Sequence, residues 1–197
     1  MPLLIPETDF SDQLRRPSTN KAAAKKFLAK YPKPYHLEGF IIPEGYRFVT
    51  NKKGKQIRLI DKTDSSNPRI IYAVNIELSD KKIGQRSCTQ VMVWSDPVEE
   101  ELTIGLPKKV FSALLEEYVI MISDEEQTND GKRFWERRLI QSLKNGHFVY
   151  FYDSFQLGSQ LIQINTVDEF LEEYEPLGWG QDNEHKGKMF IISKMKI

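Results

Sequence analysis

The chain has 197 residues, with 28 Lys and Arg against 28 Asp and Glu, so its formal net charge is zero; 40% of residues are hydrophobic and 11% aromatic. That composition supplies core material for an ordinary globular protein and excludes a wholly disordered one. No apolar run approaches the roughly 20 residues of a membrane span, and one cysteine, Cys88, excludes an internal disulfide framework and a multi-cysteine zinc site. The expected location is the reducing cytoplasm, because MPLLIPETDF lacks the basic and apolar regions of a secretory signal.

Residues 1–16, interrupted by Pro2 and Pro6, read as a flexible arm, and 17–197 as a single α/β domain. Ser18, Thr19 or Asn20 caps a predicted helix through KAAAKKFLAKY, which Pro32 and Pro34 end. Tyr46 and Phe48 alternate with polar residues, NKKGK reads as a hairpin tip, and Ile57 and Leu59 lie on the returning strand. After the turn DSSNP, the alternation of Tyr72, Val74, Ile76 and Leu78 predicts a half-buried strand. A loop around 80–84 and the strand TQVMVW complete an antiparallel meander.

The rhythm changes after Asp96. Pro107 suits the first turn of a helix whose stripe is Val110, Phe111, Leu114, Leu115 and Tyr118. YVIMIS is apolar throughout, as in a strand covered on both faces. Thr128 or Asp130 caps the helix GKRFWERRLIQSLKNG, with Trp135, Leu139 and Leu143 inward and Gly146 at its end. HFVYFY is the next buried strand. Helix, strand, helix, strand predicts parallel neighbours joined by a right-handed crossover. Residues 154–197 read as an added hairpin, a short helix and a last strand, MFIIS. The helix opens on a Thr166–Glu169 capping box and stops at Pro176. The expected fold class is mixed, α+β or α/β, around a central mixed sheet.

The zero net charge hides a division. Residues 1–60 hold 12 Lys and Arg against 5 Asp and Glu, leaving the rest acidic by the same margin. Lys25, Lys26 and Lys30 then offer a basic face for a nucleic acid or an acidic protein; equally, they are the solvated side of one helix. Trp179, between two glycines in LGWGQDNEHKGK, is a candidate partner-binding anchor, and His185 in the same loop a candidate base. Asp80, Asp96, Asp124 and Asp153 each end a predicted strand. Asp124 and Asp153, on neighbouring strands, would hold a hard cation or serve as acid and base, whereas the repetition of the ending favours turns and caps. Gln127, Arg133, Arg137 and Arg138 surround a strand-to-helix loop able to bind an anion, or are simply solvated. Cys88 has no histidine beside it in sequence and reads as inert. The three histidines have no metal-ligand spacing, so no metal is expected. No phosphate-loop, HExxH or GxSxG motif is present.

From about residue 40 to 153, the order meander, TQVMVW, LPKKVFSALLEEY, YVIMISD, NDGKRFW helix and HFVYFYD resembles the GNAT N-acyltransferase superfamily. The resemblance implies acyl transfer from acetyl-coenzyme A. Gly105, Lys108 and Lys109 would stand at the cofactor loop, and Tyr150 or Tyr152 would be the acid that reprotonates the leaving thiolate. Asp124 is a further catalytic candidate. The stretch SDPVEEELTIGLPKK has one glycine where the family has a Gln/Arg-x-x-Gly-x-Gly/Ala loop, Pro107 removes an N–H donor, and Glu99, Glu100 and Glu101 repel a pyrophosphate. The short chain and its unusual loop suggest an accessory protein of a prophage or plasmid. The expectations are therefore a GNAT-like protein of acyltransferase ancestry or a non-catalytic partner-binding protein.

Overall fold

The computed structural model describes residues 3–4, 9–83, 86–122, 126–127, 129–155, 160–179 and 187–197. In chain order the elements are β1 (Leu3–Leu4), α1 (Asp9–Arg15), α2 (Pro17–Leu28), β2 (Lys33–Pro34), β3 (Tyr46–Thr50) and β4 (Gln56–Asp61). Then come β5 (Arg69–Ile83), β6 (Arg86–Ser95), a 3-10 turn (Pro97–Glu99), α3 (Glu100–Thr103), α4 (Leu106–Glu117), β7 (Val119–Ile122) and β8 (Glu126–Gln127). They are followed by α5 (Asn129–Lys144), β9 (Phe148–Asp153), β10 (Ile162–Ile164), α6 (Val167–Glu169), a π turn (Phe170–Tyr174), α7 (Glu175–Gly178) and β11 (Lys188–Ser193). The class is mixed α+β. The chain forms two compact units: an N-terminal unit of Asp9–Glu77 with Val91–Ala113, and a C-terminal unit of Met1–Thr8, Leu78–Gln90 and Leu114–Ile197.

In the N-terminal unit the strand order is β2-β3-β4-β5-β6. β2, β3, β4 and β5 pair antiparallel, with Lys33 opposite Thr50, Phe48 opposite Leu59 and Ile57 opposite Val74. Val49, Ile60, Ile70, Ala73 and Trp94 share one core with Leu14, Ala24 and Phe27; Ile70 joins Ala73 there, three positions on, because a register shift opposite Leu59 and Ile60 breaks the simple alternation of β5. Phe48, Leu59, Tyr72 and Val74 belong to the opposite set of strand positions and are equally buried. The loop expected around 80–84 is largely strand, because β5 continues to Ile83. Residues 9–15, read as part of an irregular arm, form α1.

Asn20, read as a cap, is instead a buried helical residue, because the helix already begins at Pro17. Its amide donates to Leu14 O at 2.8 Å and Ile70 O at 3.0 Å and accepts from Ile70 N at 2.7 Å. It thereby supplies Ile70, at the start of β5, with side-chain hydrogen bonds in place of main-chain ones. Arg58 is similarly internal: its guanidinium donates to the carbonyls of Ile57 and Val74 and to Asn75, and lies 5.5 Å above the Phe27 ring. Desolvation pushes its pKa down to about 10.

In the C-terminal unit the order is β7-β11-β9-β10. β11 runs antiparallel to both its neighbours, placing Phe190 opposite Ile122 and Phe151. β7 and β9 are not the parallel neighbours expected from the helix–strand order, because the last strand lies between them. Every residue of β7 is buried, and β11 is buried from Met189 to Ser193, which explains why both read as apolar runs. The start of β6 pairs parallel with β7 at Cys88–Val119 and Thr89–Ile120. β1 pairs parallel with β8. Pro176 does not end the last helix: a π turn precedes it and Glu175 N–H bonds back to Phe170 O, so the missing proline N–H falls in the first turn of α7. Phe151, Phe170, Trp179 and Phe190 form an aromatic cluster with ring centroids 5.1–5.6 Å apart where paired.

Candidate functional site

Lys25, Lys26 and Lys30 occupy exposed positions on and just after α2, while Ala24 and Phe27 point into the core. The helix ends at Leu28, and Pro32 dictates how the chain leaves it. The residue before a proline is disfavoured in the right-handed helical region, and Tyr31 takes φ 52°, the one positive φ at a non-glycine residue among the described residues. Left-handed backbone costs a side-chain-bearing residue roughly 1–2 kcal/mol. Tyr31 is nevertheless 82% exposed, so core packing does not repay that strain.

The chain then enters β2, the outermost strand of this unit, with Lys33 opposite Thr50. Thr50 leads directly into the β3–β4 turn. Asn51 Oδ1 accepts Lys55 N at 2.9 Å and Gln56 N at 3.3 Å, and Gly54 adopts φ 72°. That geometry holds Lys52 and Lys53 out in solvent. Register therefore brings the end of α2, the edge strand and the turn together, and Lys30, Lys33, Lys52 and Lys53 with them. No carboxylate pairs with Lys25, Lys26, Lys30, Lys33, Lys52 or Lys53 among the described residues.

Beyond β2, Tyr35 N donates to Phe48 O at 2.9 Å, and the chain folds over the strand. Tyr35, His36, Leu37, Glu38, Phe40, Ile42 and Phe48 line a cavity of about 320 Å³. Tyr35 and Phe40 meet Phe48 at ring-centroid distances of 5.1 and 5.4 Å and at 89° and 64°, so neither lies flat upon it. Lys109 Nζ donates to the carbonyl of Gly39, between the cavity residues Glu38 and Phe40. The run KAAAKKFLAKY puts Tyr31 on the apolar edge of the helix with Phe27 and Leu28, but the helix ends at Leu28 and Tyr31 is exposed beyond it; Tyr35 and Phe40 are not singled out by the sequence. The available signal was YPKPY, in which two prolines exclude helix and leave aromatic residues beside lysines.

The residues implied by the acyltransferase resemblance are placed differently. Gly105 takes φ 74° between α3 and α4, its carbonyl accepts Lys109 N at 3.1 Å, and Pro107 is the second helical residue. Lys108 is exposed, and the Lys109 ammonium is engaged by Gly39. Tyr150 and Tyr152 share one face of β9 by the strand period. Tyr150 is 3% exposed and its hydroxyl accepts Ile197 N at 3.1 Å; Tyr152 is half-buried. Asp124 and His185 lie outside the described residues, as does the Cys88 side chain.

Trp179 is 5% exposed and tilted on Phe190, with Lys132 Nζ 5.6 Å from its ring. To act as a surface anchor it would have to leave that core. Lys132 bridges Glu175 at 2.6 Å and Glu136 at 3.4 Å. Burial and a hydrogen bond shared with Glu175 raise the Glu136 pKa, against the pull of Lys132.

The strand-end carboxylates are structural where described. Asp96 Oδ1 caps the 3-10 turn at Val98 N, and its other oxygen lies 3.7 Å from Arg69. Asp153 Oδ1 accepts Phe155 N at 3.0 Å in a turn. Because β11 separates β7 from β9, the expectation that Asp124 and Asp153 end neighbouring strands is not met. Among the described residues no group of three or more His, Cys, Asp and Glu is placed to hold a metal, and no helix is long and apolar enough to cross a membrane. No protein-family model, curated protein or solved structure matches this chain.

Proposed function

We propose that this is a non-catalytic, cytoplasmic binding protein whose partner is a nucleic acid held by its phosphates. The observation that carries the reading is the run of unpaired lysines, Lys25, Lys26, Lys30, Lys33, Lys52 and Lys53, gathered along α2, the edge strand and one turn. Phosphate binding is a matter of net positive potential and needs no motif. Tyr31 favours nucleic acid over an acidic protein: an exposed ring held at strained backbone among lysines is a stacking surface for a base. Fluorescence anisotropy with a labelled single-stranded oligonucleotide tests it at low salt. Saturable binding that weakens steeply as salt rises is expected, and Lys30→Gln with Lys33→Gln weakens it further. Binding that is absent, or indifferent to salt, removes the reading.

A second reading, an N-acyltransferase of GNAT-like ancestry, is supported by the meander followed by α4, β7, α5 and β9, and by the parallel step from β6 to β7. Gly105 and Lys108 would then contact acetyl-coenzyme A, and Tyr152 would be the acid. Calorimetry with acetyl-coenzyme A decides it, since a site without millimolar affinity would not turn over. An origin in a prophage or plasmid belongs with this reading and rests on the same short, unusual loop.

A further inference from the structure

We infer that the cavity beneath the 35–42 segment seats one unstacked base of the bound strand, and that it selects bases carrying an exocyclic amino group. This deepens the polyanion-binding reading and rests on it. The cavity, about 320 Å³, is at the small end of ligand pockets, with room for a ring system rather than a long chain. Its lining is aromatic and aliphatic at Tyr35, Leu37, Phe40, Ile42 and Phe48, which suits the flat apolar faces of a base. Beside the Tyr35 hydroxyl, its polar members are His36 and Glu38, both at exposed positions. A carboxylate can only accept hydrogen bonds, so Glu38 favours an amino edge such as cytosine N4 and disfavours the carbonyl of thymine or uracil.

The surroundings supply the phosphate contacts. Lys33 and Tyr35 alternate onto the same face of the strand, with Lys33 beside Thr50 and Tyr35 beside Phe48. The Lys109 ammonium donates to the Gly39 carbonyl within the lining segment. A strand with a phosphate on Lys33 therefore lies beside Tyr35, the first residue of the cavity lining. A base can enter only when it is unpaired, so the partner is single-stranded.

The test is anisotropy with five ligands at one salt concentration: decamers of deoxycytidine and of thymidine, the deoxycytidine decamer with central abasic sites, a duplex of equal length, and inorganic polyphosphate. The deoxycytidine decamer is expected to bind about tenfold more tightly than the abasic and duplex forms, with the thymidine decamer weaker by several-fold. Tyr35→Ala and Phe40→Ala remove the advantage over the abasic form. Glu38→Ala, at an exposed position where folding is not at stake, narrows the preference for deoxycytidine over thymidine. Unchanged polyphosphate binding by each variant shows that the basic face is still folded. If all five ligands bind wild type alike and the variants change nothing, the pocket inference is overturned while the basic face stands. If none binds at low salt, the basic-face reading fails and takes this inference with it.

Discussion

Asn20 makes three hydrogen bonds to the backbone from a position that is 4% exposed. Replacing it with alanine leaves buried donors and acceptors at Ile70 and Leu14 without their partner, and each such loss is costly because water cannot enter to replace it. Asn20→Ala is expected to lower stability by about 2–3 kcal/mol, read as a lower urea midpoint at unchanged slope. From sequence, Asn20 was one of three plausible caps beside Pro17; nothing local distinguishes a capping amide from one reaching Ile70, fifty residues away. Glu136 is a second case of chemistry set by distant neighbours. Its raised pKa comes from burial and from sharing a hydrogen bond with Glu175, so its ionised form is disfavoured in the fold. The folded protein then binds that proton more tightly than the unfolded chain, and stability declines as pH rises from the ordinary carboxyl value through the raised one. Glu175→Gln removes the like charge; the Glu136 titration followed by NMR should move down, and the decline should flatten. A Glu136 titration left in place would mean that burial alone sets it.

At the scale of elements, local signals were legible wherever they needed only nearby residues. Half of the Thr166–Glu169 box forms as read: Thr166 Oγ1 accepts Glu169 N at 3.0 Å, while the Glu169 carboxylate accepts from Asn165 N, one residue before the cap, at 2.7 Å. Gly146 ends α5 at φ 73°, and His147 N reaches back to Ser142 O at 2.9 Å, the wide turn of a Schellman end. What could not be read was the partner of each strand. MFIIS is as apolar as YVIMIS, and periodicity does not say which strand lies between which; β11 enters between β7 and β9 because only long-range packing decides it. The α5–β9 connection also carries a pH signature. His147 Nδ1 is buried with no hydrogen-bond partner, and desolvation, helped by Lys194 and opposed by Glu116, lowers its pKa. A histidine kept neutral by the fold contributes stability fully above the ordinary value of about 6.5 and loses it as pH falls from there to the folded value. Urea titrations between pH 7 and pH 5 should show that loss, and His147→Gln should flatten it. An equal slope in the variant would assign the loss to carboxylates instead.

For the molecule as a whole, the neutral total conceals what matters, which is where the charges lie. The excess of lysine and arginine in the first 60 residues was plain in the sequence, but a run of residues is not a surface. Register turned it into one by setting Lys33 against Thr50 and hence next to the Lys52–Lys53 turn. The cavity was not legible at all, since its walls come from a strand residue, Phe48, and a segment without regular structure. The lysines make a quantitative claim. A single strand releases about 0.7 counterions for each phosphate neutralised, so six lysines, each on one phosphate, give a plot of log K against log salt with a slope near −4. Lys52→Gln with Lys53→Gln should make that slope shallower by about 1.4 while weakening binding to all sequences alike. Lys144→Gln, exposed in the C-terminal unit, should leave it unchanged. The pocket variants should behave in the opposite way, changing affinity at every salt concentration with the slope preserved, because stacking releases no counterions. If the turn lysines alter neither slope nor affinity, the strand does not pass over the turn, and the path of its phosphates must be sought along α2 alone.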